Sequence, residues 1–284
     1  MYPELRLTLV ARLNLAAASG IRRCADRLYV VADDELHLGV YDLNGAPCGS
    51  IALRDGALPH EHAERKAHKP DFEALLSMPD GALVALGSGS TPRRRAGVRI
   101  ELAAEPRVCA IDLSELYLAL ERVLPELNIE GAAVWSGRLW LCSRGNSERR
   151  DDALIELDLA GWQEALLAER APPASLVRGV TRVGLGDLLG APLSLTDLSV
   201  LRGKLVFSAA AEASENTYDD GVCTGSVIGV LSALGLPQCL EEVAGVKIEG
   251  VCPAADEALY LVADADARGV MAPLFRAVPS WVAG

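Results

Sequence analysis

Glu130-Gly131-Ala132-Ala133-Val134-Trp135-Ser136-Gly137-Arg138-Leu139-Trp140-Leu141-Cys142-Ser143 reads as two short strands joined by a Ser-Gly turn. Apolar segments flanking a turn that carries glycine mark a β-hairpin. The same shape occurs four more times: a small or acidic residue, a small or apolar pair, a turn, then a second strand. Ser19-Gly20-Ile21 leads to Leu28-Tyr29-Val30-Val31-Ala32-Asp33, and Glu73-Ala74-Leu75 leads to Ala82-Leu83-Val84-Ala85-Leu86-Gly87. Asp197-Leu198-Ser199 leads to Leu205-Val206-Phe207-Ser208, and Glu249-Gly250-Val251 leads to Leu259-Tyr260-Leu261-Val262-Ala263-Asp264. Asp80-Gly81, Arg202-Gly203 and Asp256-Glu257 supply the turns of three of these repeats.

The motif residues 19, 73, 130, 197 and 249 lie 54, 57, 67 and 52 positions apart. A period of this size marks a blade or solenoid repeat. The 35 residues after position 249 and the 19 that lead into the first motif together make one further repeat of 54. A ring accounts for that closure if the first strand, about Leu5 to Ala11, completes the last blade, which hides edges that would otherwise template aggregation.

Each repeat also carries two outer strands. They are expected at His37–Leu43 and Cys48–Leu53, Val98–Leu102 and Arg107–Leu113, Ala153–Leu159 and Val177–Leu185, and Thr224–Leu231 and Gln238–Val243. In the fifth repeat Pro273–Val278 joins the N-terminal strand. Ser114–Leu124 and Ala160–Arg170 read as helical insertions. The expectation is an all-β chain, residues 1–284 forming one closed β-propeller of five four-stranded blades. Two alternatives stand beside it: six blades, with one hidden in the 67-residue interval, and an α+β protein whose hairpins coincide.

Half of the 284 residues are hydrophobic but only 5% are aromatic, so the core is built from Leu, Val, Ile and Ala. The net charge of −12 repels phosphate backbones and anionic lipid, which argues against nucleic-acid and membrane partners. No apolar run approaches the roughly 20 residues of a membrane-spanning helix. Ala16–Ala18 faintly imitates a signal-peptidase site, which keeps export as an alternative, but the segment reads as a strand entering the first repeat. The seven cysteines are scattered, with no C-x-x-C pair, and suit reduced hydrophobes in a cytoplasmic protein.

In a ring, equivalent motif positions surround the axis. Four of the five are carboxylates, Glu73, Glu130, Asp197 and Glu249, with Ser19 as the fifth. Converging carboxylates repel, so they call for a cation or for partly protonated states. A hard ion such as Ca²⁺ or another divalent cation relieves the repulsion; the plainer reading is that each carboxylate caps backbone N–H groups or pairs with a neighbouring blade. Lys69 and Lys247, two of only four lysines, flank ring positions and either neutralise the ring or act in it.

Loops following the second strands open on one side of the ring. They supply Ser88, Arg144, Glu215 and Asp264 as candidate ligand contacts, with Asp71 beside the second ring position. His60, His62 and His68 lie in the charged segment Pro59–Lys69, which reads as a solvated linker, with His60-x-His62 chelation as the alternative. No catalytic triad assembles, so the catalytic residues stay unassigned.

Lys69-Pro70-Asp71-Phe72-Glu73-Ala74-Leu75, Gly87-Ser88-Gly89-Ser90-Thr91, Asn128-Ile129-Glu130-Gly131-Ala132 and Lys247-Ile248-Glu249-Gly250-Val251 resemble an uncharacterised bacterial propeller family. More remotely they resemble the esterase-like and phytase-like propellers and the calcium-dependent nucleotidases. That resemblance implies Ca²⁺ at Glu73, Glu130, Asp197 and Glu249, and a metal-dependent hydrolase acting on esters or phosphoesters. Lys69 or Lys247 would stabilise developing negative charge. The chain departs from phytases in lacking a dense lysine-rich phosphate pocket. The residues read alone also support a non-catalytic propeller that binds a small molecule or a partner protein across its mouth.

Overall fold

The computed structural model describes residues 2–145, 151–213, 222–264 and 270–282. Its strands form five antiparallel sheets. The first strand, β1 (Thr8–Leu13), stands outside blade one, which holds β2 (Ala18–Cys24), β3 (Arg27–Ala32), β4 (His37–Asp42) and β5 (Pro47–Ala52). Blade two holds β6 (Phe72–Ser77), β7 (Leu83–Gly87), β8 (Ala96–Glu101) and β9 (Arg107–Asp112). Blade three holds β10 (Ile129–Trp135), β11 (Arg138–Ser143), β12 (Ala153–Leu157) and β13 (Val177–Arg182). In blade four a two-residue strand, β14 (Asp187–Leu188), precedes β15 (Ala191–Leu201), β16 (Lys204–Ala213), β17 (Val222–Leu231) and β18 (Pro237–Ala244).

Blade five takes β19 (Ile248–Pro253), β20 (Leu259–Ala263) and β21 (Ala272–Ala277), and its outer place is filled by β1. The N-terminal strand thus completes the last blade, as the sum of the two chain ends requires. The inner strands β2, β6, β10, β15 and β19 each neighbour the next, and β19 meets β2 to close the ring. Five blades take up the described strands. The 67-residue interval is filled not by a sixth blade but by helix α3 (Leu159–Leu167), a 3-10 turn and β14.

Both expected helical insertions are present, as α2 (Ser114–Glu121) and α3. Asp158 caps α3, its side chain accepting from Gly161 N at 2.9 Å, which satisfies one of the free N–H groups of the first turn. Pro59–Lys69 differs from the linker reading, because His62–His68 forms helix α1, capped by Glu61.

Five apolar clusters fill the spaces between neighbouring blades. Leu76 and Val84 of blade two meet Leu139 and Ile155 of blade three, and Tyr117 of α2 and Trp162 of α3 extend that cluster. Ala133 and Trp140 of blade three join Leu198 and Phe207 of blade four, and Ile228 and Val251 join blades four and five. Val30 and Val262 join blades five and one, and Val31 and Leu75 join blades one and two. Alternate side chains of each strand enter opposite interfaces, as a pleated strand buried on both faces requires.

Every inner strand carries one register slip, between Ala18 and Gly20, Phe72 and Ala74, Ile129 and Gly131, Leu195 and Asp197, and Ile248 and Gly250. A bulge of this kind re-aims the extra side chain. The extra residues are Ser19, Glu73, Glu130, Thr196 and Glu249. The ring position of blade four is therefore Thr196, one residue before the Asp197 expected there. The residue after each bulge is Gly, Ala, Gly, Asp and Gly, and close approach explains the small ones. A Cβ on Gly131 would stand 2.6 Å from both Asp197 Cα and Leu198 N on the adjacent inner strand.

Candidate functional site

The five bulges set up three equivalent positions per blade at one end of the channel. One is the bulge residue itself, one lies two residues before it, and one lies across from that on the second strand or just past its end. Backbone bonds tie the last two together: Asp33 N donates to Ala17 O at 3.2 Å, and Ser88 N to Asp71 O at 3.0 Å. Likewise Arg144 N donates to Asn128 O at 2.8 Å, and Asp264 N to Lys247 O at 3.2 Å. In blade four the matching pair is Ser194 opposite Ala210. Asp71, Ser88, Arg144, Lys247 and Asp264, which stand in separate segments of the sequence, all occupy these equivalent places. Glu215 lies outside the described residues.

Arg22 and Asp197 lie deeper in the channel. Arg22 Nη1 and Nη2 donate to Asp197 Oδ2 and Oδ1 at 2.9 and 3.0 Å. The same guanidinium donates to the carbonyls of Ile21, Ala132, Leu198 and Val251 at 2.5–3.1 Å. Each of those carbonyls stands two residues past the bulge of β2, β10, β15 or β19, so one side chain spans four of the five inner strands. Asp197 also accepts from Leu198 N at 2.7 Å and Val251 N at 2.9 Å. Its carboxylate is fully buried and fully engaged, and it stands apart from the three ring carboxylates Glu73, Glu130 and Glu249. The pair forms a polar floor about two residues, roughly 7 Å, below the ring.

Above that floor the mouth is a cup of mixed charge. Lys69, the residue that follows α1, bonds Asp33 Oδ2 and reaches Asp71 Oδ1 at 2.9 Å. Asp71 also receives Arg94 Nη1 at 2.9 Å and the Ser88 hydroxyl at 2.5 Å. It adopts φ 58°, a left-handed backbone uncommon outside glycine and often found at working sites. Across the cup, Lys247 Nζ sits 2.7 Å from Glu212 Oε1 and 3.1 Å from Glu249 Oε1, and Arg144 Nη2 donates to Glu212 Oε2 at 2.5 Å. Two carboxylates surround each lysine. Burial alone would lower the pKa of both lysines, but Asp33 and Asp71 around Lys69, and Glu249 and Glu212 around Lys247, raise it, so both stay charged. Burial alone would raise Glu212, yet Arg144 and Lys247 hold it below the usual carboxylate range.

Glu73 and Glu130 differ from these. Among the described residues Glu73 accepts no hydrogen bond, and Glu130 accepts one, from the neutral amide of Asn128 at 2.5 Å. Burial pushes Glu73 well above the carboxylate range, and Asp71, Glu130 and Asp33 push it further while Lys69 opposes them. Burial also drives Glu130 up to about 8, with Arg144 and Lys247 resisting the rise and Glu249 adding to it. Nearby, Asp152 is buried, accepts from Leu195 N at 2.7 Å and Gly145 N at 3.2 Å, and is pushed by burial up to about 6. It fastens the loop after Arg144 to the inner strand of blade four.

The four-carboxylate set expected for Ca²⁺ does not converge, because Asp197 is held by Arg22 and Glu249 by Lys247. A different trio comes closer: one oxygen each of Asp33, Asp71 and Glu73 lie within 4.8 Å of one another. Sequence reasoning misses Arg22, Asp33, Asn128, Thr196 and Glu212. Two of these carry a signal: Val31-Ala32-Asp33 parallels Val262-Ala263-Asp264, and Asn128-Ile129-Glu130-Gly131 parallels Lys247-Ile248-Glu249-Gly250.

Residues 14–278 match DUF6929, a family of unknown function. The chain belongs to that family. No curated protein sequence matches it. Among solved structures it is similar to a glutaminyl cyclase of Myxococcus xanthus, with 12% identity, a TM-score of 0.55, and coverage of 98% of this chain and 97% of that one. A putative glucose dehydrogenase of Thermus thermophilus has 14% identity and a TM-score of 0.46, covering 96% and 100%. A putative glycoside hydrolase of Parabacteroides distasonis has 8% identity and a TM-score of 0.48, covering 97% and 93%. At such identity the likeness to the cyclase bears on the fold alone, which the DUF6929 chain shares with it. No described helix is long and apolar enough to cross a membrane.

Proposed function

We propose that the cup is a small-molecule site whose working groups are the carboxyls of Glu73 and Glu130. One observation carries the reading. Asp33, Asp71, Glu212 and Glu249 each bind a lysine or an arginine, whereas Glu73 and Glu130 share one cup with no cation bound to either among the described residues. A carboxyl kept protonated near neutral pH is a general acid, and the same group after losing its proton is a general base. Such a pair suits proton transfer to and from a small polar substrate, in a cup that the Arg22–Asp197 floor closes to through-flow. Capture of a ligand without chemistry uses the same groups and differs only in the absence of turnover.

A second reading follows from the Asp33, Asp71 and Glu73 oxygens. A divalent ion there would make the mouth a metal-dependent hydrolase of esters or phosphoesters. It requires Lys69 to leave the two aspartates it now bridges, because Ca²⁺ needs six to eight oxygen ligands of its own.

Metal analysis of the purified protein, followed by melting curves with Ca²⁺, with chelator, and with a panel of small amines, amides and esters, tests both. Organic ligands that raise the melting temperature of the wild type but not of Glu130→Gln support the first reading. A stoichiometric divalent ion whose removal lowers the melting temperature moves the conclusion to the second. Silence in every arm overturns both.

A further inference from the structure

A sheet edge is a row of unpaired N–H and C=O groups, and folded chains blunt it with a proline, a bulge, charge or a covering segment. Among the described strands, four of the five outermost are treated in this way. β5 opens on Pro47 and slips its register between Pro47 and Gly49. β13 slips between Val177 and Gly179 and carries Arg178 and Arg182. β1 slips between Leu9 and Ala11. β18 is covered, because Leu5 N donates to Glu242 O at 2.8 Å and Glu242 N donates to Pro3 O at 2.7 Å. β9 is the exception. Its residues pair without a slip with Ala96–Glu101 of β8, none of them is proline, and residues 108–111 carry no charge. The register also fixes which groups point outward. Leu113 N donates to Arg95 O at 3.0 Å, so residues 107, 109, 111 and 113 bond inward to β8. The N–H and C=O groups of Val108, Ala110 and Asp112 therefore face away from the blade. Among the described residues none of these groups has a hydrogen-bond partner, and the Ala110 side chain is exposed.

We infer that the edge of β9 is a self-association surface, and that its occupant is β9 of a second copy of this chain, paired antiparallel about a two-fold axis. Such an axis stands perpendicular to the sheet, and it sets side chains of the same face opposite one another. With Ala110 facing its own counterpart on the axis, Val108 of each copy faces Asp112 of the other. The outward groups of all three residues are then satisfied. Charge favours this occupant. Arg107 and Asp112 stand at opposite ends of β9, so an antiparallel copy brings each cationic end to an anionic one. The same pairing on β13 would gather arginines from both copies. The neutral middle of β9 adds no repulsion between chains that each carry a net charge of −12.

Sedimentation equilibrium of the full chain, at concentrations from about 1 to 100 μM, tests the pairing. We expect a species of twice the 30.0 kDa chain mass. Ala110→Pro should raise the dissociation constant by at least ~10-fold, because it removes the outward N–H at the axis from both copies and leaves the β8–β9 bonds in place. Ala110→Lys, which sets two ammonium groups face to face, repeats the measurement should the proline variant melt early. Hydrogen exchange supplies the local readout: the amides of Val108, Ala110 and Asp112 should exchange more slowly in the wild-type dimer than in the wild type diluted to monomer. A wild type that stays monomeric throughout that range overturns the inference, whether or not a strand of another protein binds the edge. A dimer that both variants leave equally tight overturns it too, because that dimer forms elsewhere on the chain.

Discussion

The floor and the wall of the same cup treat buried charge in opposite ways. At the floor, Arg22 and Asp197 are paired bidentately, and the remaining donors and acceptors meet backbone groups of four inner strands. At the wall, half-buried Glu73 and buried Glu130 stand beside other carboxylates, and their one described hydrogen bond is the neutral one from Asn128 to Glu130. Glu130 is about as deeply buried as Arg22, so satisfaction is the variable. A fully satisfied pair has nothing left to offer a ligand and holds the ring together; an unsatisfied pair stores a preference for a proton or a cation.

The sharpest way to break that contrast is at the floor. Asp197→Asn strands the Arg22 charge among carbonyls, and we expect a loss of about 3–5 kcal/mol in urea unfolding. Replacing both partners, as Arg22→Met with Asp197→Leu, should recover much of it, because no charge is then left unpaired. A cost for Asp197→Asn below about 1 kcal/mol would show that the floor is not structural.

The wall predicts a pH dependence of definite sign. Glu130 keeps its proton up to about 8 in the folded protein, whereas in the unfolded chain it loses it near pH ~4.3. The folded state therefore binds more protons across that window, and stability declines as pH rises from about 4 to about 8, by a few kcal/mol. Chemical unfolding of Glu130→Gln over the same range should give a flatter profile and higher stability at the alkaline end. Equal slopes in the two proteins would place the proton elsewhere.

Gly131→Ala tests how closely floor and ring are coupled. Its Cβ would meet Asp197 Cα at 2.6 Å, and overpacking of this kind costs about 1–3 kcal/mol. The strain falls on the strand that carries Asp197, so combining this change with Asp197→Asn should be less than additive. The smallest effect belongs to Glu73→Gln. Burial holds the proton on this side chain, which accepts no described hydrogen bond. Stability should therefore shift by no more than about 1 kcal/mol while the response to ligand disappears.

Much of the fold is legible in the amino-acid sequence. The hairpin at Glu130–Ser143, repeated five times, carries the blade count, and the lengths of the two chain ends carry the closure by β1. Glu73, Glu130 and Glu249 stand on one ring because strand periodicity keeps equivalent residues at equivalent heights. The blade-four position differs from the expectation by one residue. Thr196-Asp197-Leu198 and Asp197-Leu198-Ser199 both fit a loose pattern of a small or acidic residue followed by two more, and a bulge leaves no mark of its own in sequence. Helix α1 escapes the sequence reading because His62–His68 is short and charged and shows no apolar period.

Local pattern suffices for strands, turns, the two longer helices and the number of blades, since those depend on alternation and on residues near in sequence. It cannot decide which charges meet. Arg22 and Asp197 are 175 positions apart, Lys69 enters the cup from the end of a helix, and Glu73 and Glu130 reach one mouth only because their inner strands stand side by side around one axis. Whether a carboxylate is satisfied or left waiting depends on every group that surrounds it, and that neighbourhood exists only once the ring has closed.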